Sequence, residues 1–264
     1  MSNLIVPRVR IFLRNAVDEL LFSSVGLCVN DQKGVAVSEL GPEIGLEQVL
    51  VGETEALQIL GDARTRLGHR VMDPKAQLVS EFVQSIRVPG YFPPLDELRQ
   101  HLLKAVQILD EPAPTLARKE NLVLQGPVRE MSARIYAPTA AGSGTLPVLA
   151  YFHGGGWVQG DLETHDGLCS RLSLWSKAMV VSFEYRLAPE NKFPAAVEDC
   201  CAAYRWLLSH GEEIGADSSR VAVAGDSAGG NLAAVVCQQM RRDDLPLPTF
   251  QVLLYPVTNM AFDT

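Results

Sequence analysis

A chain of 264 residues holds one large α/β domain or two small ones, and 47% hydrophobic against 20% charged residues is a globular composition that excludes disorder. A formal net charge of −8 repels phosphate backbones and argues against nucleic acid as a partner. The five cysteines, Cys28, Cys169, Cys200, Cys201 and Cys237, include no Cys-x-x-Cys pair and suggest neither a disulfide framework nor a metal site, which suits a reducing cytoplasm.

In chain order, Met1 to Val29 comes first. Its apolar stretches are broken by Arg8, Arg10, Arg14, Asp18 and Glu19, which reads against a secretory signal. No apolar run reaches the roughly 18 residues of a membrane span. Residues 1–71 read as an N-terminal extension of unassigned role, helix-like near Glu53 to Leu67. Residues 72–118 read as helical: Leu95, Leu98, Leu102, Leu103 and Val106 recur at helical spacing, with Pro93 and Pro94 before them and Pro112 and Pro114 after. His101 on that helix reads as a surface residue.

From residue 120 strands alternate with helices. Asn121 to Gln125 and Ser132 to Tyr136 flank a turn at Gly126 and Pro127. Val148 to His153 and Met179 to Tyr185 are buried strands. Ala196 to Leu208 is an amphipathic helix whose inner face holds Val197, Cys200, Cys201, Tyr204, Leu207 and Leu208. Val221 to Gly225 is a strand, Asn231 to Met240 a helix apolar on most sides and expected to be buried, and Phe250 to Tyr255 a last strand. The alternation implies a mostly parallel sheet with helices on both faces.

Three segments carry chemistry. Gly225-Asp226-Ser227-Ala228-Gly229-Gly230 lies between an apolar strand and a helix, the setting in which G-x-S-x-G presents a nucleophile on a tight turn. The turn needs small neighbours, which Gly225 and Gly229 supply, and the helix N-terminus behind it favours developing negative charge. A phosphate-binding turn is the competing reading, but no lysine follows and the G-x-G-x-x-G spacing is absent. His153-Gly154-Gly155-Gly156-Trp157 follows a buried strand. Three glycines leave backbone N–H groups bare to stabilise an oxyanion, often by about 3 kcal/mol per donor. The bland reading is a flexible loop. His153, beside the glycines, reads as a loop-positioning residue rather than a general base, and Trp157 either borders the site or packs in the core. In Tyr185-Arg186-Leu187-Ala188-Pro189-Glu190, Arg186 and Glu190 are placed to pair.

These segments, with Arg220 to Gly225 and Leu254-Tyr255-Pro256-Val257-Thr258, resemble the hormone-sensitive-lipase group of α/β-hydrolase esterases from about Met72 to Thr264. The resemblance implies hydrolysis of short to medium acyl esters without a cofactor or metal. It makes Ser227 the nucleophile and the N–H groups of Gly155, Gly156 and Ala228 the oxyanion donors. His153, Gly154, Trp157, Gly225, Asp226 and Gly229 shape the motifs. It also makes residues 72–118 an N-terminal helical cap and 119–264 part of a catalytic domain. The family's triad Asp and His fall beyond the Tyr-Pro-Val-Thr segment. All five histidines here, His69, His101, His153, His165 and His210, precede Ser227, so neither partner stands at its family position. The expectation is an impaired esterase, incomplete on its C-terminal side, with the last strand as a sheet edge open to self-association. A non-catalytic small-molecule-binding module on the same fold and an inert fragment are the alternatives.

Overall fold

A computed structural model describes residues 50–86, 91, 93–140 and 144–259, in two compact units that divide between Pro94 and Leu95. Most of the expected N-terminal extension, including the segment tested for a signal sequence, lies outside the described residues. The helical segment 72–118 contributes to both units.

In the first unit, helix α1 (Glu53–Leu60) packs Ala56 and Leu60 against Leu78 of helix α2 (Pro74–Ile86). The helix-like stretch expected to run to Leu67 stops earlier. Gly61 has a positive φ of 49° and returns its N–H to the Leu57 carbonyl, and residues 66–71 form a minimal hairpin, β1 (Arg66–Leu67) and β2 (Arg70–Val71). Asp73 caps α2 by accepting from the N–H groups of Lys75 and Ala76 at 3.0 and 3.2 Å, and Pro74 occupies the first helical position, where its missing N–H costs nothing.

The second unit begins with α3 (Leu95–Leu109). Of its apolar stripe Leu102 is buried and Leu95, Leu98, Leu103 and Val106 are half-buried, while His101 is exposed as expected. A six-stranded sheet follows, in the order β3 (Arg118–Gln125), β4 (Glu130–Ala137), β6 (Met179–Phe183), β5 (Leu146–Phe152), β7 (Ala216–Asp226), β8 (Gln251–Leu254). The sheet is mixed, with three of its five pairings parallel, as a mostly parallel sheet requires, and two antiparallel. β3 and β4 form an antiparallel hairpin, and β4 runs antiparallel to β6; the pairs β5·β6, β5·β7 and β7·β8 are parallel. A short turn at Gly126 joins β3 to β4 and forces their antiparallel pairing, whereas helical crossovers join the strands of the parallel pairs β5·β6, β5·β7 and β7·β8.

Strand periodicity sorts the core into two layers. Val148, Ala150 and Phe152 of β5, with Val181 and Phe183 of β6 and Val223 of β7, face α5 (Ala195–His210) and α6 (Ala228–Arg242). Leu149 and Tyr151, with Val180 and Ala224, face α4 (Asp166–Ser176) through Cys169. Because both faces are covered, these strands read as continuous apolar runs. On α5 the expected inner face is the buried one, with Cys200, Cys201, Tyr204 and Leu207 enclosed. Helix α6 departs from its expectation: Leu232, Ala233, Val236 and Met240 are buried, but Gln238 is exposed, so the helix is amphipathic rather than enclosed on all sides.

Arginines fasten this frame. Arg134 on β4 reaches Asn121 at 2.7 Å, Asp166 at 3.0 Å and Glu163, while Arg171 on α4 holds Asp110 at 3.1 Å and the Glu111 carbonyl. Arg186 does not pair with Glu190 as expected. Its backbone N–H and guanidinium grip Asp199 of α5 at 2.8 to 3.0 Å, and its Nη2 also reaches Glu198 at 3.1 Å. The reason is helical phase: Asp199 lies on the inward face of α5, directly beneath the loop that carries Arg186, whereas Glu190 points outward to Arg99.

Candidate active site

In the register of the parallel pair β5·β7, Phe152 lies opposite Gly225. The two strands therefore leave the sheet at the same level. The glycine triplet after β5 and the turn after β7 emerge side by side at the C-terminal edge, where α/β sheets open a crevice for ligands.

Ser227 sits on that turn with φ 50° and ψ −117°, a conformation L-residues rarely adopt. Its surroundings hold it there. The Ser227 N–H donates to the Leu254 carbonyl at 2.8 Å, and its own carbonyl accepts from Val257 at 3.2 Å and Asn231 at 3.1 Å. The Asn231 side-chain amide closes the ring on the Val257 carbonyl at 2.8 Å. The end of β8 and the Tyr-Pro-Val-Thr segment thus brace the turn. Gly225 and Gly229 let the strand and helix cross. A Cβ on Gly229 would lie 2.5 Å from the His153 carbonyl oxygen and nearer still to that of Phe152, so no larger residue fits.

The glycine loop is anchored from below by Asp226, which is fully buried. Its Oδ1 accepts from the Gly154 N–H at 3.0 Å and from the Tyr151 hydroxyl, with His165 Nε2 at 3.5 Å. The Tyr255 hydroxyl reaches its other oxygen at 3.4 Å. The side chain between strand and nucleophile turn is thereby hydrogen-bonded to the loop opposite. Beyond Gly154, Gly155 has φ 109° and its carbonyl receives the N–H groups of Val158 and Gln159, both at 3.1 Å. Among the described residues, the N–H groups of Gly155, Gly156 and Ala228 make no hydrogen bond.

His153 is wholly buried. Its Nδ1 donates to the Gly154 carbonyl at 2.8 Å, its ring stacks on Tyr185 at 4.3 Å, and the Tyr185 hydroxyl donates to its carbonyl at 2.7 Å. Burial, reinforced by neighbouring His165, pushes its pKa down to about 4, so the ring is neutral near pH 7. Trp157 is half-buried and packs against the main core, while its backbone, with φ 61°, belongs to the glycine loop. A separate cavity of about 290 Å³ is lined by Arg118, Thr139 and Ile214 among others, and by no residue of the serine turn or the glycine loop.

The participants that sequence reading missed are Tyr151, His165 and Tyr255 around Asp226, and Arg99 on α3. Tyr151 was legible as the opposite-face neighbour of Phe152 on a strand whose two faces alternate. Arg99 carried no local signal, since the carbonyls it meets lie 59 and 89 residues away.

Residues 149–264 match the family described as alpha/beta hydrolase fold, and the chain is similar to esterases that resemble hormone-sensitive lipase. Esterase LipI of Mycobacterium tuberculosis is 49% identical over 149 residues, covering 56% of this chain and 47% of LipI. Carboxylic ester hydrolase LipN of the same organism is 40% identical over 220 residues, covering 80% of this chain and 57% of LipN. Among solved structures, the ester hydrolase EH1AB1 from the metagenome of Lake Arreo, determined with a bipyridine phosphonate derivative, superposes with a TM-score of 0.66 at 40% identity, over 71% of this chain and 60% of that one. The thermostable carboxylesterase EstE1, cloned from a metagenomic library, gives 0.60 at 45% identity, over 64% and 57%. The chain spans about half the length of the curated relatives it matches.

Proposed function

We propose that this chain supplies the nucleophile and the oxyanion hole of a hydrolase for short to medium acyl carboxylic esters. The Ser227 oxygen attacks the ester carbonyl carbon. The carbonyl π electrons move onto oxygen, where the N–H groups of Gly155, Gly156 and Ala228 receive the charge. Collapse expels the alcohol and leaves an acyl-serine for water to hydrolyse. No cofactor enters this sequence of steps. The observation that supports it best is the conjunction of a strained serine with three unengaged amides on adjoining loops at the C-terminal ends of the parallel strands β5 and β7. In this reading residues 72–118 act as a cap over the acyl pocket, 119–264 form the catalytic portion, and 1–71 are an extension.

Attack also requires a base for the serine proton. His153 is buried, neutral and committed to Gly154, and His165 faces Asp226 below the loop. No histidine follows Ser227 in these 264 residues. Loss of a triad histidine costs about a millionfold in kcat, while an oxyanion hole and binding alone retain roughly 10³ to 10⁴ over water. The 264-residue chain by itself is therefore expected to be a weak esterase. Purified chain should release p-nitrophenol from p-nitrophenyl acetate or butyrate slowly but above a heat-inactivated control, and Ser227→Ala should return the rate to that control. Equal rates for the two proteins would end the proposal.

A second reading is a small-molecule-binding module on the same fold, since His153 and His165 are both engaged away from Ser227. Thermal stabilisation by an acid or ester that Ser227→Ala binds equally well, without turnover by either protein, would support it. Reducing surroundings fit the four described cysteines, all free thiols, and among the described residues no helix is long and apolar enough to cross a membrane.

A further inference from the structure

The glycine loop stores strain that something must hold. Gly156 and Trp157 are consecutive residues with φ 61°. Glycine adopts this readily, but for tryptophan it is a strained conformation that persists only where the surroundings over-determine it. Two ties come from outside the loop. The Trp157 carbonyl accepts from the Ala188 N–H at 2.8 Å, and the Val158 carbonyl accepts from Nε of Arg99 at 2.8 Å. The same guanidinium donates through Nη2 to the Ala188 carbonyl at 3.3 Å, and through Nη1 and Nη2 to the two carboxylate oxygens of Glu190, both at 2.9 Å. One planar cation therefore closes a ring that runs from Val158 through Arg99 to Ala188 and back to Trp157. Its bidentate pairing with Glu190 fixes the plane of the fork, and so fixes the direction in which Nε meets Val158.

Val158 is not a passive anchor. Its N–H closes the turn on the Gly155 carbonyl, so the peptide that carries the Gly156 N–H lies inside that turn and the one that carries the Gly155 N–H adjoins it. Arg99 stands on α3, outside both motifs that form the site. Helix α3 is held at its other end too, where Arg171 takes Asp110 and the Glu111 carbonyl.

We propose that Arg99 is a positioning residue for the oxyanion loop, acting through Val158 and Ala188, and that it makes the orientation of the Gly155 and Gly156 amides depend on the placement of helix α3. This rests on the reading of those amides as oxyanion donors. Losing one such donor costs about 10² to 10³ in kcat, and a misaligned pair is expected to cost about tenfold. Binding of the ester ground state does not use these amides fully, so KM should move little.

The test uses the full 264-residue chain with ¹⁵N-glycine labelling, comparing wild type, Arg99→Met and Glu190→Gln. The proposal expects Arg99→Met to shift the Gly155 and Gly156 amide signals and speed their hydrogen exchange. It expects kcat for p-nitrophenyl acetate to fall about tenfold with KM within about twofold. Added methylguanidinium should restore both the signals and the rate, and Glu190→Gln should show the same changes in smaller degree. A merely structural tether would alter stability without rescue by a small cation. Unmoved glycine signals in Arg99→Met, or a loss that methylguanidinium leaves untouched, would overturn the proposal. Should Arg99→Met fail to fold, Glu190→Gln decides, because it loosens the same guanidinium without removing it. If wild type shows no hydrolysis at all, the esterase reading fails on its own, and the amide signals still judge the clamp.

Discussion

At the scale of single residues, His153 links the site to pH. A base whose folded pKa lies near 4 against an ordinary 6.5 favours the neutral folded form. The unfolded chain takes up a proton below pH 6.5 while the folded chain does not. Stability from this group is therefore complete above pH 6.5 and is lost as pH falls toward 4. Between pH 6.5 and 5 the loss is about 2 kcal/mol. Groups facing the ring are His165, Asp226 and Asp161. Urea unfolding at the two pH values should show a larger drop for wild type than for His153→Asn, whose amide can keep the bond to the Gly154 carbonyl without titrating. Parallel drops would show that the imidazole is not the group responsible.

At the scale of elements, α5 is joined to the loop after β6 by a charge pair largely shielded from water. Arg186 is 8% exposed and Asp199 3%. Such a pair adds little over an apolar replacement of both partners, but removing one partner strands the other. Arg186→Met should therefore lower unfolding free energy by about 3 to 5 kcal/mol, read from chemical denaturation. Glu190→Gln, whose partner Arg99 is 30% exposed and whose own side chain is 52% exposed, should change it far less. The sequence offered Arg186 and Glu190 as a pair because both charges stand in one short segment. The structure separates them because their chain is a loop, where four-residue spacing carries no helical proximity, and because α5 offers Asp199 on its inner side.

At the scale of the whole molecule, β8 stands at one end of the strand order of the described sheet, and Phe250 beside it is 68% exposed. A strand edge with an apolar flank is a template for pairing with another chain. We propose that the 264-residue chain self-associates through it, which sedimentation velocity would register as a sedimentation coefficient that climbs with protein concentration. A single monomer boundary from micromolar to hundreds of micromolar would rule this out.

The fold class and the serine turn were legible from residues 148 to 257 alone. Both depend on local rules: apolar runs bounded by glycines, helix periodicity, and the small residues at 225 and 229 that a tight crossing demands. The antiparallel pairing of β4 with β6 and the open outer face of α6 were not, since each depends on what a segment meets across space; the stop of α1 at Gly61 is instead a local glycine cap inside a stretch read as helical. The same division runs through the site. The order of residues named Ser227 and the glycine triplet as partners. Only tertiary packing decided that Asp226 and Arg99 hold the two loops in register, because a hydrogen bond between groups 59 to 91 residues apart leaves no period, no motif and no composition for the linear chain to display.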